Sequence, residues 1–147
     1  MAALSPDRNY ARRLTYLCVA GLIMVTGLIW RLAPLSLPPF YLKYGGSVLW
    51  SAMLYCLVAA IRPFGTARFK VAALAILIAA AIELSRLVHT PALDAFRLTL
   101  PGALLLGHVF SIWDIVAYAF GIAIACLIDC ASLYLKESRK RLKSQRS

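Results

Sequence analysis

The sequence predicts an all-α integral membrane protein, a four-helix bundle with both termini in the cytoplasm. Three observations lead there. Of 147 residues, 62% are hydrophobic, with a mean hydropathy of +0.78; a typical soluble domain has about 45–50% apolar residues. These residues gather into four long runs, on the scale of a bilayer-spanning helix. The 16 Lys and Arg against 6 Asp and Glu, a net charge of +10, punctuate those runs instead of forming one basic face. An ordinary water-soluble globule, a disordered tail and a nucleic-acid-binding domain are excluded, and the lipid bilayer is the expected partner. The four cysteines, Cys18, Cys56, Cys126 and Cys130, all fall in apolar runs with no CxxC pair, so they read as small buried hydrophobes.

The first helix is expected at about 14–31, bounded by Arg12-Arg13 and Arg31. Its basic start resembles a signal peptide, but Arg31-Leu32-Ala33-Pro34-Leu35 is a poor cleavage site, so the helix is retained. Pro34, Pro38, Pro39 and Gly45-Gly46 then predict an irregular loop. The second helix is expected at about 47–62, ended by Arg62-Pro63-Phe64-Gly65, and the third at about 69–89, with Glu83 deep inside it and Arg86 near its end. The fourth is expected at about 111–135, with Asp114 near its start and Asp129 near its end, followed by a basic cytoplasmic tail, 136–147. Between them, 98–110 is apolar but broken by Pro101 and Gly102, and reads as a re-entrant or interfacial segment. The whole chain, 1–147, is one transmembrane domain.

Charge decides the topology. With four crossings, the amino end (Arg8, Arg12, Arg13), the loop after helix two (Arg62, Arg68, Lys70) and the tail share a side and hold 12 of the 16 basic residues. The positive-inside rule places that side in the cytoplasm. A fifth crossing would export the tail.

This topology sends the remaining polar residues to the outer leaflet: Arg31, Lys43, Glu83, Arg86, Arg97, His108 and Asp114, with Asp129 as the exception. Arg31 and Lys43 can snorkel to head groups. Ser111 and Asp114 fit a capping box. Glu83 is harder to explain structurally, because a carboxylate inside a span costs roughly 2.5–3.5 kcal/mol on insertion scales and needs a partner. Arg86 at i+3 and Arg97 are both candidates; we expect Arg97 to pair with Glu83, with Asp114 in the same network. His89, Asp94, His108 and Asp114 match no metal-binding spacing, so no metal and no cofactor is expected. Trp50, Trp113, Tyr41, Tyr44 and Tyr118 suit an interfacial aromatic belt. Tyr118 and Gly121 share a helix face with Asp114, and Gly121 marks a close helix contact.

The motifs Gly27-Leu28-x-x-Arg31, Lys43-Tyr44-x-Gly46-x-x-Leu49-Trp50, Glu83-Leu84-Ser85, Arg97-Leu98-Thr99 and Leu106-Gly107-x-x-Phe110-x-x-Asp114-x-x-x-Tyr118-x-x-Gly121 follow one another in order. Over about residues 12–127 the chain resembles a family of small bacterial inner-membrane proteins catalogued as domain of unknown function 2809. More distantly, it is similar to VanZ-like proteins, which are linked to low-level glycopeptide resistance. Position 86 is Arg where that pattern implies Gln, and position 118 is Tyr where the VanZ-like pattern has Asn. The resemblance implies that Arg31, Lys43, Gly46, Glu83, Arg97, Asp114 and Gly121 are motif positions.

The resulting expectation is a multi-pass protein of the bacterial inner membrane that binds an anionic lipid or lipid-linked envelope precursor in an outer-leaflet polar pocket. Arg31, Lys43 and Arg97 would hold phosphate. Glu83 and Asp114 would orient them, supported by Arg86, Tyr118, Gly46 and Gly121. Two alternatives are an enzyme on such a lipid, with Glu83 or Asp114 as general base, and a small proton-coupled carrier subunit working as a homo-oligomer.

Overall fold

The computed structural model describes residues 6–33, 38–63, 65–99, 101–102 and 110–144. It is all-α: α1 (Pro6–Leu32), α2 (Pro39–Ile61), α3 (Arg68–Ser85), α4 (Pro91–Arg97) and α5 (Ile112–Ser144). Local chemistry explains most of the boundaries. Pro39 occupies the first helical position of α2, where a missing N–H costs nothing and the fixed φ favours the helix. Helix α2 therefore begins eight residues before the expected start and absorbs Gly45-Gly46, expected in a loop. It stops at Arg62, which precedes Pro63 and is extended at φ −58°, ψ 146°, as a residue before proline prefers. Gly65, at φ +83°, then makes the turn that a side chain would strain. Helix α3 ends at Ser85, short of His89. Helix α4 was not anticipated, yet it carries a full set of end signals: Thr90 accepts from Leu93 N, Pro91 opens it, Asp94 sits in the first turn and Arg97 in the last.

Helix α5 runs nine residues past the expected end, so the start of the basic tail is helical. Of the 98–110 segment, Pro101 and Gly102 have helical backbone and Thr99 Oγ1 accepts from Gly102 N at 3.2 Å. Residues 100 and 103–109, including His108, lie outside the described residues.

Helix α2 is central, packing on α1, α3 and α5, while α3 also packs on α5. The faces in contact follow helical spacing. Val71, Ala75, Ala79 and Glu83, every fourth residue, are the buried positions of α3 and form one ridge of mostly small side chains. Gly121 lets α5 approach α2: a Cβ there would overlap Ser51 Oγ and the Val48 carbonyl. Gly46 has open space around it, and it is Gly45 that meets a neighbour, the Trp30 ring.

The outer surface is strongly apolar, with Leu22, Met24 and Ile29 of α1, Leu77 of α3 and Leu127 and Ile128 of α5 all exposed. Three helical stretches, Asn9–Leu32, Phe40–Ile61 and Ile112–Leu135, are long and apolar enough to cross a membrane. Helix α3 is shorter, at 18 residues, and carries Arg68, Lys70 and Glu83. Cys56 is buried, whereas Cys18 and Cys130 face outward.

Candidate functional site

Two charged clusters, one buried and one partly buried, lie one toward each end of the bundle, both built on α5. Asp114 and Asp129 are 15 residues apart on that helix, about 22 Å at 1.5 Å per residue. Helix α3 runs antiparallel beside it. Its first residue, Arg68, reaches Asp129, and Glu83 near its end reaches Tyr118.

The first cluster centres on Glu83, which has no solvent exposure. Its Oε1 accepts from Ser111 N at 2.8 Å and from Arg86 Nη1 at 2.8 Å. Its Oε2 accepts from Tyr118 OH at 2.9 Å and lies 2.7 Å from Arg86 Nη1. Arg86 follows the last residue of α3, where a cation also complements the helix dipole. The same Nη1 reaches Asp114 Oδ2 at 3.3 Å, and Nη2 donates to Tyr118 OH at 3.2 Å. Asp114 Oδ1 is 3.5 Å from Ser47 Oγ, and that hydroxyl also lies 3.3 Å from the Lys43 carbonyl. Trp50 packs on the Tyr118 ring with centroids 5.2 Å apart.

Several expectations change here. Glu83 pairs with Arg86, not with Arg97. Arg97, only 3% exposed, donates to Asp94 Oδ1, Val88 O and Ser85 O. It ties α4 back onto the end of α3 and is committed to that task, so it does not present a phosphate-binding fork. The capping box is replaced by a contact between helices, since Glu83, not Asp114, takes the Ser111 N–H. Tyr118 and Trp50 belong to the cluster instead of an aromatic belt, whereas Trp113 and Tyr41 are exposed. Asp114 joins the Glu83 network as expected, and Gly121 makes the expected close contact. Arg31 and Lys43 are exposed; Lys43 Nζ lies 5.2 Å from the Tyr44 ring centroid. Neither forms an ion pair with the Glu83 cluster among the described residues.

The second cluster surrounds Asp129, the residue that the outer-leaflet reading left aside. Tyr16 OH donates to Oδ1 at 2.7 Å and Tyr55 OH to Oδ2 at 2.9 Å. Arg68 Nε lies 3.0 Å and Arg62 Nη2 3.8 Å from Oδ2. Arg62 also donates to Tyr16 OH and Thr66 O, and Arg12 donates to the Arg62 carbonyl. One carboxylate thus joins α1, α2, α3 and α5. The clue in the sequence was three polar residues, Tyr16, Tyr55 and Asp129, each inside an apolar run.

The fold and this cluster together define a class: an all-α chain with long apolar helices and a buried carboxylate–guanidinium site between the end of one helix and the start of another. Within that class the chain belongs to the family described as protein of unknown function (DUF2809), whose match covers residues 36–122. That range contains Lys43, Glu83, Arg86, Asp114 and Tyr118, and leaves Arg31 and Asp129 outside. No curated protein and no solved structure matches the chain.

Proposed function

We propose that this is a bacterial inner-membrane protein that crosses the bilayer four times, with both termini in the cytoplasm. In this reading it binds an anionic lipid or lipid-linked envelope precursor at the outer leaflet, at the Glu83 end of the bundle. One observation carries the reading: Glu83, with no exposure, is held by donors from Arg86, Ser111 and Tyr118 and shares Arg86 with Asp114. Buried ion pairs are weak stabilisers compared with apolar packing, and ionisable groups among apolar helices mark functional sites by default. Arg31 and Lys43 are the exposed cations assigned to the lipid phosphate. Lys43 lies one helical turn before Ser47, the residue in contact with Asp114. Arg97 drops out of the ligand set because it is buried in the α3–α4 connection.

The fourth crossing is α3. Its 18 residues span about 27 Å, close to the hydrocarbon thickness of about 30 Å. Its ends meet opposite clusters. Arg12, Arg62 and Arg68 gather at the Asp129 end, which fits the cytoplasmic side.

The enzymatic alternative centres on Asp114. Each Glu83 oxygen has two short contacts, whereas the one contact of Asp114 Oδ1 among the described residues is Ser47 at 3.5 Å. Asp114 is therefore the better general base of the two.

Native mass spectrometry of the full chain, purified through increasingly stringent detergent, tests the binding reading. Wild type should keep an anionic lipid that Arg31→Gln/Lys43→Gln loses. Equal retention by both would defeat it.

A further inference from the structure

The buried charges at the Glu83 end do not cancel. Glu83, fully buried, and Asp114, 4% exposed, share one guanidinium, that of Arg86. The other buried arginine nearby, Arg97, pairs with Asp94 instead. No further cation forms an ion pair with either carboxylate among the described residues. One negative charge is left over among apolar helices, where an uncompensated charge is strongly unfavourable.

That excess falls on Asp114. Glu83 is held by four contacts between 2.7 and 2.9 Å. Asp114 has Arg86 Nη1 at 3.3 Å and Ser47 Oγ at 3.5 Å, both longer than a good charge-assisted bond. The Ser47 hydroxyl is equally loose, lying 3.3 Å from the Lys43 carbonyl. By contrast, the hydroxyls of Ser51 and Ser85 donate to backbone carbonyls at 2.9 and 2.6 Å. Asp114 Oδ1, Ser47 Oγ and the Lys43 carbonyl are therefore a run of acceptor oxygens at wide spacing. A primary ammonium, with three donors and no acceptor, has the charge and the valence to bridge them. Ser47 is partly exposed, which gives the approach.

We propose that the lipid bound at the Glu83 end carries a primary ammonium beside its phosphate, received by Asp114 Oδ1, Ser47 Oγ and the Lys43 carbonyl. This rests on the assignment of the phosphate to Arg31 and Lys43, and it narrows the ligand to an anionic aminophospholipid. Lys43 and Ser47 are four residues apart on α2, about 6 Å along the axis, a gap that a phosphate and an ammonium joined by two carbons can bridge. The ammonium offsets the surplus at Asp114, and the acidic groups of the ligand meet the two exposed cations.

The test titrates the full chain in detergent with phosphatidylserine and with phosphatidylglycerol of the same acyl composition, counting bound lipid by native mass spectrometry. Both lipids have a net charge of about −1, and only phosphatidylserine carries an ammonium. Wild type should prefer phosphatidylserine. Asp114→Asn should reduce that preference about ten-fold, and Ser47→Ala about three-fold, in line with hydrogen bonds to a charged group and to a neutral one. Acetylating the amine of phosphatidylserine should abolish the difference between wild type and Asp114→Asn. Equal binding of the two lipids by wild type would overturn the proposal, as would a preference unchanged in either folded variant. Persistence of the Asp114 effect with the acetylated lipid would also overturn it. Should Asp114→Asn fail to fold, Ser47→Ala decides by the same ratio. Arg31→Gln/Lys43→Gln should weaken both lipids and keep their ratio. Equal binding by wild type, with both lipids still weakened in that variant, overturns the ammonium site alone. An intact, Asp114-dependent preference with neither lipid weakened in that variant overturns the phosphate assignment and leaves the ammonium site standing.

Discussion

Arg86 Nη1 lies 2.7 Å from Glu83 Oε2, one helical turn away, and 3.3 Å from Asp114 Oδ2 on another helix. On an exposed helix an i,i+3 ion pair contributes about 0.2–0.5 kcal/mol. Here the carboxylate is fully buried and the guanidinium nearly so, and the pair also locks the end of α3 to the start of α5. Losing Arg86 leaves Glu83 and Asp114 without their shared cation, and losing Glu83 leaves Arg86 without the nearer of its two carboxylates.

Glu83→Gln and Arg86→Gln should each destabilise the protein by about 3–5 kcal/mol, as removal of one member of a buried pair does. The double variant should cost less than the sum of the two. Glu83→Gln with Arg97→Ala should be closer to additive, because Arg97 bonds Asp94, Val88 and Ser85 instead. Denaturant unfolding in micelles measures both cycles. A large coupling of Glu83 to Arg97 and none to Arg86 would contradict the geometry.

Gly121→Ala should destabilise by about 1–3 kcal/mol, the usual cost of overpacking. The new methyl would meet Ser51 Oγ and the backbone carbonyl of Val48. Adding Ser51→Gly removes the first obstacle and leaves the second, so rescue should be partial. Full rescue in the same unfolding assay would mean that the carbonyl is not the limiting contact.

Asp129→Asn should cost about 3–5 kcal/mol, because Arg62 and Arg68 lose their shared carboxylate. Tyr55→Phe, which removes one neutral donor and keeps the ring, should cost about 1–3 kcal/mol. Melting temperatures in one detergent should rank wild type above Tyr55→Phe, and that above Asp129→Asn. The reverse order would remove Asp129 as the keystone of its end.

In a background lacking the native cysteines, Ser5→Cys, Thr66→Cys and Ser144→Cys should resist an impermeant thiol reagent in whole cells, and Ser36→Cys should react. Thr66 is the most telling position, since its carbonyl accepts from Arg62 at the Asp129 end. Labelling of Ser144→Cys from outside would contradict the four-crossing topology.

Much of this architecture was legible from local spacing. Apolar run length announced the long helices, and the 114, 118, 121 register predicted a shared α5 face that is buried. Features that depend on distant partners were not legible. Glu83 had two arginines within reach on paper. Choosing between them required knowing that α4 exists and that it turns Arg97 toward Ser85 O. Asp129 looked like an outlier because Tyr16 and Tyr55 are 113 and 74 residues away in sequence. The α2 start was misread because Pro39 and Gly45-Gly46 resemble loop chemistry, while proline at a first helical position serves as a start signal.

Photocrosslinking with an anionic lipid carrying a photoactivatable group near its phosphate, mapped by peptide sequencing in the intact membrane, tests the binding site most directly. The account predicts label concentrated on residues 38–47 and 110–118 at the Glu83 end, lost in Arg31→Gln/Lys43→Gln, with the helices still inserted. Label spread evenly over the exposed apolar faces and unchanged in that variant would contradict it.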